Sequence, residues 1–445
     1  MEFVGTRGEA AVGFTEAVFR GLAPNGGLYH PTSYPDLSEL FASLDPHMPF
    51  VDLAATLTAA LLGDELGTHT AEAIARKAFL FSPEVVQVED RIFLNELFHG
   101  PSCAFKDFGA CFLAAAVESL GPRDGKKTVV LTATSGDTGS AVAQAFAGRE
   151  AVEVVVLFPR GRVSPLQEKQ LTTVGGNVTA VEVDGAFDDC QRLVKAAFAS
   201  EKVRRQIRLT SANSINLGRL IPQAYYYVDA WLRLRDRPAA AGRPLRFVVP
   251  SGNFGNLTAG LLAWKWGLPV AGFVAATNIN DVVPSYLETG FFSPKESVRT
   301  HSNAMDVGNP SNFERLTALF DGAEAMRKIV SGRVVDDTST EETIARLLDR
   351  HGRFVCPHTA VGLAAAEREI AAERESAVQH GAQDLFVVLA TADAGKFREV
   401  VAKATGREAP LPERLRRAMD MPGEAVPLEP RTEALEAFLL DRYSS

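Results

Sequence analysis

From Lys126 onward the chain alternates continuous apolar runs with amphipathic stretches. TVVLTA (Thr128–Ala133), VEVVVLFP (Val152–Pro159), NVTAVEV (Asn177–Val183), LRFVVP (Leu245–Pro250), VAGFVAA (Val270–Ala276) and LFVVLA (Leu385–Ala390) offer apolar side chains to both faces. Such runs predict strands buried on both sides, as in parallel sheets covered by helices. Between them lie helical stretches. One is opened by Ser164-Pro165, a favourable cap and first-turn pair; others span Asp188–Ala199 and Lys396–Ala404. The alternation predicts an α/β fold. Residues 1–95 lack it: they carry turn clusters such as Pro24-Asn25-Gly26-Gly27 and helical patches at Leu53–Leu62 and Ala71–Phe79. They are expected to form an N-terminal subdomain covering something else. The Pro-, Glu- and Arg-rich segment after Pro410 is expected to wrap the surface as a tail.

Composition narrows the function classes. A chain of 445 residues exceeds one ordinary core, so two or three domains are expected. With 46% hydrophobic and 23% charged residues it reads as a well-packed soluble protein. A formal net charge of −9 leaves no basic face to neutralise nucleic-acid phosphates. The four cysteines (Cys103, Cys111, Cys190, Cys356) are scattered, which suits a reducing compartment and shows no metal-ligand spacing. MEFVGTRGEA has no apolar signal core, and no apolar run is long enough to span a bilayer. A cytoplasmic protein with no membrane, nucleic-acid or metal partner is expected, and its oligomeric state is not legible.

The candidate chemistry centres on Lys106 in NELFHGPSCAFKDFGACF, where an amine is boxed in by Cys, Ala, Phe and Gly. Desolvation disfavours the ammonium, and a neutral lysine amine is a nucleophile able to form a Schiff base. On this stretch alone a lysine snorkelling from an amphipathic helix remains an equal reading. The loops after the strands are the places to seek its partners, because open α/β sheets bind ligands outside their carboxyl ends. Thr134-Ser135-Gly136-Asp137-Thr138-Gly139 opens a helix with small hydroxyl residues, a candidate anion site or an ordinary capped turn. Ser251-Gly252-Asn253-Phe254-Gly255-Asn256 could converge several N–H groups on one phosphate, without the spacing of a dinucleotide fingerprint. Thr391 at the tip of the last strand could reach a cofactor ring nitrogen or cap the next helix. Arg160 and the polar string Ser211-Ala212-Asn213-Ser214-Ile215-Asn216 suit either an anionic ligand or a network joining two domains.

Taken in order, AFKDFG, TSGDTG, PRGRVSPLQEKQ, SANSIN, PSGNFGNLTAG and NAMDVGNPSN resemble the threonine synthase family, as do TRGE and GLAPNGGLYHP near the start. The resemblance runs over residues 5–405. It implies an α/β fold of two doubly wound parallel-sheet domains, of the tryptophan-synthase-β type, with the additional N-terminal subdomain. Residues 96–125 and 211–410 would form the large cofactor-binding domain, 126–210 the smaller one and 411–445 the tail. It further implies pyridoxal 5'-phosphate as cofactor, held by Lys106, with Lys106 also the acid/base. Ser251, Gly252, Asn253, Phe254, Gly255 and Asn256 would bind the cofactor phosphate, and Thr391 would face the pyridine nitrogen. Thr134, Ser135, Asp137 and Thr138 would take the substrate carboxylate. Arg160, Ser211, Asn213, Ser214 and Asn216 would recognise the phosphate of a small phosphorylated amino acid. The implied reaction converts O-phospho-L-homoserine and water to L-threonine and phosphate. A phospho-lyase releasing 2-oxobutyrate, or a non-catalytic protein on the same fold, are the alternatives.

The chain departs from the family pattern at Asp393-Ala394, where a His-Pro pair is usual. An acid there is expected near the pyridine end of the site. His99 and His358 are expected to be structural.

Overall fold

A computed structural model describes residues 1–122, 128–134, 136–237, 240, 242–375 and 383–444. The apolar runs become strands of two sheets. The larger sheet runs, from edge to edge, Val330–Val334, Gly272–Thr277, Leu245–Pro250, Leu385–Ala390, Ile92–Glu96 and Glu84–Gln87. Its pairs are parallel except the last, which is antiparallel. The smaller sheet runs Val426–Leu428, Val178–Val183, Val152–Pro159, Thr128–Ala133 and Arg208–Ser211, all parallel. Four of these strands, Ile92–Glu96, Thr128–Ala133, Gly272–Thr277 and Leu385–Ala390, are buried along their whole length, as continuous apolar runs require when helices cover both faces.

The N-terminal segment covers the helix that begins at Lys106 (Lys106–Leu120). Phe50 packs edge-on against Phe108 with ring centroids 5.4 Å apart, and Phe14 meets Phe112 at 6.4 Å. Phe79 stacks between Phe108 and Phe112. This aromatic plug packs the helix against the N-terminal segment through Phe108 and Phe112. The segment's limit differs from the expected residue 95, because Glu84–Gln87 and Ile92–Glu96 already belong to the larger sheet. The expected boundary at 125/126 lies outside the described residues.

The C-terminal segment is not a surface wrap. Val426–Leu428 adds an edge strand to the smaller sheet, and Thr432–Tyr443 packs beside the helix Phe187–Ala199 through buried Leu435 and Leu439. The charged composition of the segment hid these few inward positions. Among the described residues no helix is long and apolar enough to cross a membrane. All four cysteines are buried and free.

Candidate active site

Segments that follow a strand of each sheet meet at Lys106: Asp137, after Thr128–Ala133 of the smaller sheet, and Lys396, after Leu385–Ala390 of the larger, both act on its amine. The preceding loop is pinned to the last strand of the larger sheet. Phe105 N–H donates to Thr391 O at 2.8 Å and Asp393 N–H to Cys103 O at 3.1 Å. Cys103 takes a left-handed backbone (φ 57°), and Asp107 accepts the Ser102 N–H at 2.9 Å to close the turn. Among the described residues the one other non-glycine in that conformation is Phe254, in the second loop of interest. Both residues of sparsely populated backbone therefore flank one site, where surrounding bonds over-determine them.

Lys106 is partly open at its surface but surrounded by protein, and burial lowers its ammonium to about 8. Asp137 works against that fall, while Lys396 and Arg219 add to it. Asp137 heads the helix Asp137–Phe146. Its Oδ1 meets Lys396 Nζ at 2.9 Å and Gln167 Nε2 at 3.2 Å. Burial alone would raise this carboxyl, but Lys396 and Lys106 overcome it and hold it well below the usual carboxylate range. His358 is pushed down to about 4 by burial; its Nε2 accepts the Ala304 N–H at 3.1 Å, and its buried Nδ1 has no partner among the described residues. Asp107, Arg219 and Ser102 likewise keep one buried side-chain atom without a partner, at Oδ1, Nε and Oγ. With His358 Nδ1 these are four of the twelve such atoms among the described residues, and buried polar atoms without a partner beside a reactive amine fit a ligand site.

The Ser251–Asn256 loop follows the strand Leu245–Pro250 and opens the helix Gly255–Lys265. Its polar side chains build the loop. Asn256 Oδ1 accepts from Ser251 Oγ at 2.5 Å and from Leu257 N–H at 3.0 Å, while its Nδ2 donates to Pro250 O. Asn253 is gripped by the NAMDVGNPSN segment: its Oδ1 accepts from Ser311 N–H and its carbonyl from Asn312 N–H. The N–H groups of Gly252 through Asn256 are left with no acceptor among the described residues. A Cβ at Gly252 would lie 2.7 Å from Ala304 O, so the cradle admits only glycine there. Several free N–H groups at a helix N-terminus fit a phosphate. With a reactive amine and the buried Thr391 hydroxyl beside them, they fit pyridoxal phosphate.

The other expected residues divide. Thr138 is half-buried beside Asp137. Thr134 spends its hydroxyl inside the loop, accepting the N–H groups of Gly136 and Gly139 at 3.0 and 2.8 Å. Ser135 lies outside the described residues. Ser211 Oγ accepts the Asn213 N–H, and Asn213 Oδ1 accepts from Thr132. Asn216 is fully buried and used up: Nδ2 donates to Val18 O and Ser211 O, and Oδ1 accepts from Gly218 N–H. Arg160 is exposed and paired with Glu182 at 2.9 Å, so a substrate phosphate would have to displace that acid. Ser214 is half-buried, with its carbonyl facing Arg315. Asp393 does not face the amine: it caps its own turn through Gly395 N–H at 2.7 Å, among Lys396, His99 and Glu96. Lys396 was legible in the sequence only as a lysine between Gly395 and Phe397. Its apolar flanks were the same signal that marked Lys106.

Known proteins align with this geometry along the whole chain. A pyridoxal-phosphate-dependent enzyme family model matches residues 74–389. Models of the threonine synthase N terminus and C-terminal region match residues 2–79 and 359–439. A threonine synthase of Haemophilus influenzae is 40% identical over 432 residues, 97% of each chain. One of Escherichia coli is 43% identical over 411 residues, 92% of each. The structure of a threonine synthase from Brucella melitensis with bound pyridoxal phosphate superposes with a TM-score of 0.90 at 33% identity, over all of both chains.

Proposed function

The chain belongs to the threonine synthase family of pyridoxal-phosphate-dependent enzymes, and from that premise we propose how its own residues run the reaction. The substrate is O-phospho-L-homoserine, which with water gives L-threonine and phosphate. The observation that carries this reading is Lys106, an amine lowered to about 8, on a loop pinned to the end of the strand Leu385–Ala390, whose neighbour Leu245–Pro250 leads into the Ser251–Asn256 loop.

The N–H groups of Gly252 through Asn256 would hold the cofactor phosphate, Lys106 would bind its aldehyde end, and Thr391 would offer a neutral hydroxyl toward its ring nitrogen. The bound group supplies an electron sink for the pair left when the substrate Cα loses its proton. Lys106 then acts as the movable base. An amine titrating near 8 is neutral often enough at cellular pH to accept the Cα proton and basic enough to carry it on. The same amine serves the Cβ proton, since it hangs from a helix first turn held by the aromatic plug. Thr138 and the backbone of the Asp137 turn receive the substrate carboxylate. Ser211, Asn213 and Ser214 border the phosphate end, which holds the leaving group while it departs. Asn216 positions that loop rather than touching substrate, and Arg160 contributes only if Glu182 yields. A chain with buried free thiols and no membrane-crossing helix among its described residues is consistent with work in the cytoplasm.

The test is product analysis. Purified protein supplied with pyridoxal phosphate and phosphohomoserine should release threonine and inorganic phosphate one for one. It should show a visible absorbance band that Lys106→Ala abolishes. Release of 2-oxobutyrate in place of threonine would make it a phospho-lyase, and absence of both products would overturn the reading.

A further inference from the structure

Lys396 has no part in the reaction as drawn, yet its side chain is wholly buried. It rises from the short turn Ala394–Phe397 that follows the last strand of the larger sheet. Its Nζ donates to Ser102 O at 2.8 Å and meets Asp137 Oδ1 at 2.9 Å. Ser102 lies in the loop that delivers Lys106, and Asp137 opens a helix of the smaller sheet. One ammonium thus ties three segments far apart in sequence, two of which carry the site. Burying such a pair gains little stability over an apolar pair of similar size, so stability alone does not account for it. Gln167 supplies a second donor to the same carboxylate oxygen, which further fixes its direction.

We propose that Lys396 is a positioning residue for the catalytic lysine: it holds the Asp137 carboxylate in a fixed ion pair, so that the carboxylate does not close onto the Lys106 amine. This rests on the reading of Lys106 as the reactive group. The charged or titratable groups facing Lys106 are Asp137, Lys396, Arg219 and His358, with Asp107 next to it on its own helix. His358 is neutral at working pH, burial having pushed it to about 4. Arg219, lowered to about 10, stays a cation, with Asp107 as its acidic neighbour. Asp107 is raised by burial to about 6, while the Ser102 N–H it accepts works the other way. The two partners of the buried pair therefore act on Lys106 with opposite sign. Asp137 favours its ammonium, and Lys396 opposes it both by repulsion and by occupying Asp137.

The experiment is competitive acetylation of the full-length chain cleared of cofactor, with the Lys106 peptide read by mass spectrometry across pH. The wild-type amine should become reactive with a midpoint near 8. Lys396→Met should move that midpoint up by about half a pH unit or more, so that labelling at neutral pH slows about threefold. Asp137→Asn should move it down, and Lys396→Arg should leave it near wild type. A role confined to packing would shift both neutralised variants the same way or not at all, and either result overturns the proposal. Should Lys396→Met fail to fold, Asp137→Asn decides alone, and a midpoint that does not fall overturns it. Labelling needs no substrate, so a wild-type protein that makes no threonine would sink the functional reading while leaving these midpoints to be judged on their own.

Discussion

Replacing Arg315 by methionine is expected to loosen three parts of the site together. Arg315 lies in the helix Phe313–Leu319 and is wholly buried. Its Nε donates to Tyr29 O at 2.8 Å, Nη1 to Asn312 Oδ1 at 2.7 Å and Ser214 O at 3.4 Å, and Nη2 to Ile215 O at 2.5 Å. It thereby joins the N-terminal segment, the polar loop before Asn216 and the segment that grips Asn253. Methionine fills much of the volume and donates nothing. Four acceptors, two buried and two part-buried, lose their partner, each at a cost of about 1–3 kcal/mol. Against this, the guanidinium no longer has to be buried. That relief returns about 5 kcal/mol, the free energy of its fall from 12.5 to about 9. The lost acceptors win, by about 3 kcal/mol at mid-range values. A chain of several domains has no single unfolding free energy, so local amide exchange is the proper assay. Amides of Tyr29 and His30 and of residues 213–218 should exchange about 100-fold faster in the variant, and the KM for phosphohomoserine should rise. Exchange in both segments at the wild-type rate would refute the reasoning.

Three further perturbations follow from the same geometry. Lys106→Met should stabilise the cofactor-free chain at pH 7 by roughly 1–3 kcal/mol, since folding buries an ammonium that methionine lacks. Between about 8 and 10.5 the unfolded wild-type chain binds the extra proton, so wild-type stability rises with pH there and the variant lacks that rise. Urea midpoints at pH 7 and 10 measure it; a wild-type midpoint that drops relative to the variant would contradict the sign. Gly252→Ala forces a Cβ to within 2.7 Å of Ala304 O and 2.8 Å of Met305 Cα. Backbone cannot swing aside, so pyridoxal phosphate should bind about 10- to 100-fold more weakly, the equivalent of ~1–3 kcal/mol of strain, with equilibrium dialysis as the measurement. Unchanged affinity would mean that the loop is not the cradle. Asp393→Ala should cost about 1 kcal/mol for its lost cap and leave the visible band in place; a displaced band would put Asp393 at the pyridine end after all.

What the sequence determined by itself is whatever depends on one segment and its period. Doubly apolar runs gave strands such as Thr128–Ala133 and Leu385–Ala390 at their observed limits, because burial on both faces leaves that trace in any short window. Ser164-Pro165 gave a helix start, which the structure completes with a capping box through Gln167. Lys106 and the Ser251–Asn256 loop were legible as chemistry, since an amine among apolar neighbours and a glycine-spaced polar loop are local signals. Tertiary structure decided which polar groups are spent and which are free. No spacing reveals that Asn216 is consumed by Val18, or that Arg160 turns to Glu182. Nor does any reveal that Asp393 caps its own turn while Lys396, three residues on, crosses to Asp137. Those outcomes depend on partners up to hundreds of residues away, and a hydrogen bond or ion pair leaves no periodic mark on the chain. The C-terminal strand Val426–Leu428 was hidden for the same reason, its edge position demanding only two inward residues. The local pattern thus fixes where the elements and the reactive amine lie, and long-range pairing fixes the charge that amine meets.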